Sequence, residues 1–375
     1  MDMSTSDIFV IPESEIPDFF VETEGKDSWN YKYVLKKYLL QRDAEFRRLS
    51  EFRHRGWEIN KEEGDAFFKL QRHIADNANQ ESRKLFFGMM IKIAKDMHQA
   101  TGIFDFKANL NRSPRILDIC MAPGGFTAAA LNICRNARCY GLTLPKKLGG
   151  HELILEKSKL CGLHQLDITM MIKEYSDSPI PHNHPQIREF TTIRLFNSYK
   201  FDLIFCDGKV LRTHQRPTWR ENNEGTRLML SQLILSMQRI RNGGTIVVLL
   251  HKIDCWDSIL TIRDFSDFSD VQLYKPPKAH KTRSSFYLIA RNIDIEHEKA
   301  RRTLRFWRDQ WWEATFGGED GLGKKLHPSV GDVLELLDDF GEQFIRIARP
   351  IWRIQADGLS RTIYAGNFTD LNLED

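Results

Sequence analysis

The stretch Ile116-Leu117-Asp118-Ile119-Cys120-Met121-Ala122-Pro123-Gly124-Gly125-Phe126 decides the fold. It lies on a short apolar run, Arg115–Cys120, of the kind that forms a buried strand. A Pro-Gly-Gly turn follows, and the pattern predicts a helix from near Phe126. Gly124 and Gly125 allow a tight bend and leave no Cβ to keep a ligand away. The start of a helix presents unpaired N–H groups that suit an anionic group. Read blandly, the same residues are a β-turn between strand and helix. The spacing is not GxGxxG, which counts against a nicotinamide or flavin enzyme.

Six further apolar runs follow the same grammar: Ala137–Leu144, His164–Ile168, Phe201–Cys206, Thr245–Leu250, Val271–Tyr274 and Ser285–Ala290. Most are followed by a turn signal and a longer helical pattern, so the expected fold is α/β, a mostly parallel sheet with helices on both faces. Ligands in such sheets sit at the C-terminal ends of the strands. The stretch Met170 to Tyr199 breaks the alternation and reads as an irregular insertion. Four regions result: an acidic, mobile arm at 1–27, a helical region at 28–110, the α/β domain at 111–293, and a helical extension at 294–375. Tyr31, Val34, Leu35, Tyr38 and Leu39 build one apolar helix stripe, and Met89, Met90, Ile93 and Met97 another. Trp307 and Trp311, four apart, are expected to pack onto the main domain.

The net charge of +3 hides an asymmetry. The first 25 residues hold seven acids and no Lys or Arg, leaving 54 bases against 44 acids in the remainder, a net +10. That excess is compatible with a polyanionic partner. The six cysteines form no CxxC pair and read as reduced core thiols rather than a disulfide framework or a metal site. His182 and His184, on a Pro-rich loop, are expected to be solvated. The longest strongly apolar run, Ile246–Leu250, is far short of a membrane span, and no basic-apolar leader opens the chain. A cytoplasmic or nuclear protein is expected.

Beyond the general grammar, LDICMAPGGF resembles the first motif of the FtsJ-like ribose 2′-O-methyltransferases, and the likeness continues for about 180 residues. HQLDIT, FDLIFCDG, GGTIVVLL and KPPKAHKTRSSFYLIA match the family's later motifs in order. The resemblance implies a Rossmann-like sheet of seven strands and S-adenosylmethionine as methyl donor. It places cofactor binding on Asp118, Gly124, Gly125, Phe126 and Asp167, with Asp167 directed at the adenine. It puts the functional acid at Asp207.

The family's Lys-Asp-Lys-Glu set serves a ribose hydroxyl, a poor nucleophile that must be oriented and relieved of its proton. Only the Asp is matched in place, by Asp207. Leu249 stands at the central lysine position, with Lys252 three residues later able to supply the ammonium if the strand ends in a bulge or shift. The first lysine falls on Phe87 or Gly88 and the glutamate on Ser285. The acid that would end strand two is absent, since Leu142 and Thr143 stand there. The resemblance implies an RNA acceptor, for which Lys275, Lys278, His280, Lys281 and Arg283 offer phosphate contacts. Two other readings stay open: a binding protein of the same fold that has lost the reaction, and a small-molecule O-methyltransferase.

Overall fold

The computed structural model describes residues 30–76, 80–106, 112–362 and 364, so the expected acidic arm lies outside the described residues. Among the described residues four α-helices come first: α1 (Tyr31–Arg42), α2 (Ala44–His54), α3 (Lys61–Asp76) and α4 (Gln80–Thr101). Side-chain caps fix the first two, Asn30 accepting from the Lys32 N–H and Asp43 from the Phe46 N–H, each at 3.0 Å.

The sheet follows, with β1 (Arg115–Ile119), α5 (Gly125–Ile133), β2 (Arg138–Thr143), β3 (Gly162–Gln165), the short α6 (Ile172–Tyr175) and β4 (Phe201–Cys206). Then come α7 (Glu224–Arg239), β5 (Ile240–His251), α8 (Trp256–Ser266), β6 (Asp270–Tyr274) and β7 (Ser285–Arg291). The described residues form one seven-stranded sheet in the order β3-β2-β1-β4-β5-β7-β6. The first five strands run parallel, and β7 lies antiparallel between β5 and β6. This is the expected Rossmann-like α/β sheet, whose chain order reverses direction between β1 and β4.

Strict alternation on the central strands builds the two layers. Leu203, Phe205, Val247, Leu249, Tyr287 and Ile289 face one way and share a core with Met90, Ile93 and Met97 of α4 and with Phe126, Ala129 and Ala130 of α5. Ile204, Cys206, Ile246, Val248, Leu250, Phe286 and Leu288 face the other way, into the larger core. That core takes in α7, α8 and the two last helices, α9 (Glu298–Phe316) and α10 (Val330–Leu359). It also takes in Leu35, Leu39, Phe46 and Leu49 of α1 and α2, so both helical ends roof the same side of the sheet. Phe46 meets Trp352 with ring centroids 5.1 Å apart. Trp307 and Trp311 are 3% and 0% exposed, and their indole N–H groups donate to Asp264 and Ser231. Among the described residues no helix is long and apolar enough to cross a membrane.

Several expectations need correction. Strand β3 stops at Gln165 rather than Ile168, because the Asp167 side chain accepts from the Thr169 N–H and caps a short helical turn. Strand β5 runs from Ile240 to His251, beyond both ends of the expected Thr245–Leu250. His184 is buried, not solvated, with its ring edge-on to Trp219 and Phe316.

The insertion after α6 is tied down by charge. Buried Arg239 of α7 donates to both oxygens of buried Glu174, at 2.5 and 2.7 Å, and to the Leu195 carbonyl at 2.8 Å. Removing one partner strands the other charge in the core. Arg239→Ala should therefore cost about 3–5 kcal/mol in urea unfolding, and Arg239→Met with Glu174→Leu should recover most of it.

Candidate functional site

A cavity of about 760 Å3 lies across the C-terminal ends of β1 to β5, on the α4 side of the sheet. Its volume is within the range of small-molecule sites, about 300–1,000 Å3. Cys120 and Ala122 border it from the loop after β1, Leu142 to Leu144 from β2, and Leu166 to Thr169 from beyond β3. Asp207 to Arg212 enter after β4, Leu249, His251 and Lys252 from β5, and Thr282 to Ser285 and Tyr287 from the β6–β7 hairpin. Helix α4 contributes only apolar side chains, Phe86, Met89, Met90 and Ile93. The lysines nearest the position expected for the first catalytic lysine, Lys84 and Lys92, are exposed and do not border the cavity.

Of the residues singled out in the sequence, Asp207, Asp167 and Lys252 border the cavity, whereas Asp118, Gly124, Gly125 and Phe126 are not among the residues lining it. The reasons are local. Gly124 has φ +100°, and a Cβ there would meet the Leu155 Cβ at 2.9 Å. A Cβ on Gly125 would strike Met90 of α4. These glycines are needed for protein to pack on protein, and Cys120 and Ala122 carry the loop to the cavity edge. The Phe126 ring stacks on Phe205 at 5.0 Å inside the core. Asp118 accepts from the Thr127 hydroxyl at 2.7 Å with one oxygen, and its other oxygen is buried with no hydrogen-bond partner.

Asp167 is already engaged at both oxygens. One accepts from the Thr169 N–H and hydroxyl at 3.0 and 2.8 Å, and the other from Arg220 at 2.9 Å with His214 nearby. Burial opposes its charge, but His214 and Arg220 hold the carboxyl below the usual range. Asp167, His214 and Glu224 bring ligand atoms within 4.8 Å of one another. Arg220 and Arg227 donate to Glu224 in the same cluster, so its acidic charge is met by guanidinium groups.

Asp207 ends β4 on the same face as Phe205. Burial first, then the charge of Asp118, pushes its carboxyl up to about 8, while Lys209 and the Tyr287 hydroxyl pull the other way. The Tyr287 hydroxyl donates to it from 3.4 Å. Burial likewise lifts Asp118 to about 7. The cation acting on Asp207 is Lys209, two residues on and the first residue after the matched FDLIFCDG motif. Lys252 sits where β5 ends, with φ +54°, its N–H donating to the Ser284 carbonyl at 2.9 Å. It borders this cavity and two further ones.

That turn is braced from both ends of the chain. Arg53 of α2 donates to Asp254 at 3.0 Å and to Gln355 of α10 at 3.2 Å, and Gln355 donates to the Ser284 hydroxyl at 3.4 Å. Within the hairpin, Lys275 corrects an expectation. It is buried, and its ammonium donates to the Arg283 and Ser285 carbonyls, while Lys278 and Arg283 remain exposed.

A raised carboxyl pKa binds protons in the folded state that the unfolded chain has lost, so stability falls as pH rises from about 4 to about 8. Asp207→Asn removes this penalty. It should gain about 1–2 kcal/mol over the unaltered protein at pH 9 and nothing measurable at pH 4, read by denaturant unfolding.

Comparison with known proteins places the domain. A profile of the FtsJ-like methyltransferase family matches residues 94–293, just over half of the chain. No curated protein matches. Among solved structures, a protein provisionally named a ribosomal RNA methyltransferase from Plasmodium falciparum is 20% identical, covering 53% of this chain and 96% of its own, with a TM-score of 0.33. An O-methyltransferase family protein from Burkholderia thailandensis is 10% identical over 66% of this chain and 72% of its own, with a TM-score of 0.33. An rRNA methylase from Streptococcus thermophilus is 13% identical over 53% and 96%, with a TM-score of 0.28. With the motifs in order along the sheet and the family profile spanning them, the chain belongs to the FtsJ-like methyltransferases and is an S-adenosylmethionine-dependent methyltransferase.

Proposed function

We propose that the protein methylates a ribose 2′-hydroxyl of RNA. The observation that carries this reading is Asp207, bordering the cavity just beyond β4 with Lys209 and the Tyr287 hydroxyl beside it, and Lys252 on the same cavity's lining. An alcohol oxygen needs orientation and a nearby positive charge as its proton departs, and this group of side chains offers both. Leu249, at the family's lysine position, offers neither.

Bound S-adenosylmethionine supplies an electrophilic methyl group on a sulfonium. The donor chemistry of the cavity suits it: Asp207 borders it, Asp118 lies buried behind it with one unpartnered oxygen, and the rim along β2 and β3 is largely apolar. In this reading Cys120, Ala122 and Asp167 border the nucleoside, and Asp118, Gly124, Gly125 and Phe126 set the shape of the wall from behind. Asp207 orients the acceptor oxygen, and Lys209 and Lys252 face its developing charge. The exposed Lys278 and Arg283 meet RNA phosphates near the opening. Leu249 and Ser285 favour a second reading, a protein that binds the cofactor or RNA and has lost the transfer.

Calorimetry with S-adenosylmethionine near pH 7, in two buffers of different ionisation enthalpy, should register proton release. A cation placed over Asp118 and Asp207 favours their charged forms. S-adenosylhomocysteine, lacking the sulfonium, should release fewer protons. Labelled methyl should pass to total RNA in a salt-sensitive reaction. Asp207→Ala should lose at least about 100-fold in rate at saturating cofactor. Undiminished transfer in Asp207→Ala would remove the mechanism, and salt-insensitive transfer to a small alcohol with no RNA retained would replace the acceptor.

A further inference from the structure

Strand β5 sends two neighbouring side chains of one face to the cavity, Leu249 and His251, since residues two apart on a strand point the same way. Across the antiparallel ladder Leu249 pairs with Tyr287 and His251 with Ser285, and all four border the cavity. Leu249 has no atom that can accept a proton. His251 stands about 7 Å farther along the same face, at the exposed end of the strand. Its position is fixed from behind, where its carbonyl accepts from the Ser258 hydroxyl at 2.9 Å. Among the described residues no ion-pair partner holds the ring, and the residue borders the cavity.

We propose that His251 is the general base of the methyl transfer, removing the proton of the acceptor hydroxyl. The inference rests on the reading that the acceptor is a ribose alcohol. The new bond forms between that oxygen and the methyl carbon as the carbon–sulfur bond breaks. The bonding pair stays on sulfur, which becomes a neutral thioether, and the hydroxyl proton passes to the imidazole and then to water. The charged groups facing the ring are Lys209 from the loop after β4, Lys252 and Asp254 from the turn after β5, and Arg53 from α2; Ser285 of β7 is neutral. Partial burial, then Lys209 and Lys252, depress the imidazole to about 4, so at pH 7 it is neutral, free to take a proton though a weaker base than an ordinary histidine. The two lysines that keep the base unprotonated also face the oxygen it serves.

The test uses the full chain with labelled S-adenosylmethionine and total RNA. His251→Ala and His251→Gln should each lower kcat about 100-fold or more while the KM for S-adenosylmethionine stays within about threefold. Free imidazole should restore at least about tenfold of the His251→Ala rate, in proportion to its neutral fraction, and should leave the unaltered protein unchanged. Independently of turnover, NMR of the His251 ring should show a titration midpoint below that of an ordinary histidine, rising in Lys209→Ala. The proposal is overturned if both His251 variants keep kcat within about threefold. It is overturned equally if the loss lies in KM and imidazole rescues nothing. Absence of transfer by the unaltered protein to any RNA would instead remove the acceptor reading, and this inference with it.

Discussion

The central strands β1, β4 and β5 are buried on both faces, and that double burial governs where chemistry can occur. Leu203 and Phe205 press against α4 and α5, while Ile204 and Cys206 press against the opposite layer, so the strand middles are filled by apolar side chains. Only the strand ends escape. Because β1 and β4 are parallel neighbours in register, Asp118 stands opposite Phe205, and Asp207 follows two residues farther along the same face. Two neighbouring carboxyls in poorly solvated surroundings oppose each other's ionisation. The cavity thus inherits its electrostatics from the alternation of apolar side chains beneath it.

Much of this could be read from the chain itself. The apolar runs found all seven strands, and the bend after β1 located the edge of the cavity. What escaped were features set by residues distant in sequence. Gly124 looked like a ligand cradle, but the nearest demand on it comes from Leu155, whose approach no local pattern reveals. Phe126 matched a motif while belonging to the core around Phe205. Asp167 was placed at a strand end, and its two oxygens turned out to be engaged by Thr169 and by Arg220, 53 residues away. Lys275 sat in a basic loop and folded inward to satisfy two carbonyls.

Lys209 and His251 were invisible for a different reason. Motif comparison asks which residue stands at a given position, and at the expected lysine position it finds Leu249. Geometry asks which side chains reach a given volume. By that measure the loop after β4 and the outermost residue of β5 supply polar groups that the expected position lacks. In the proposed mechanism the replacement is of place as well as of type, so a position-by-position reading scores it as loss.

The hydrogen-bonded chain from Arg53 through Asp254 and Gln355 to Ser284 joins residues more than 300 positions apart around the turn that carries Lys252. Neither terminal region merely decorates the sheet. Each holds one side of the same buckle, and the tongue of that buckle is the end of β5. Drift in the sequence of α2 or α10 would therefore be felt as a shift in the reactive groups themselves, making remote surface helices part of what selection on the enzyme must preserve.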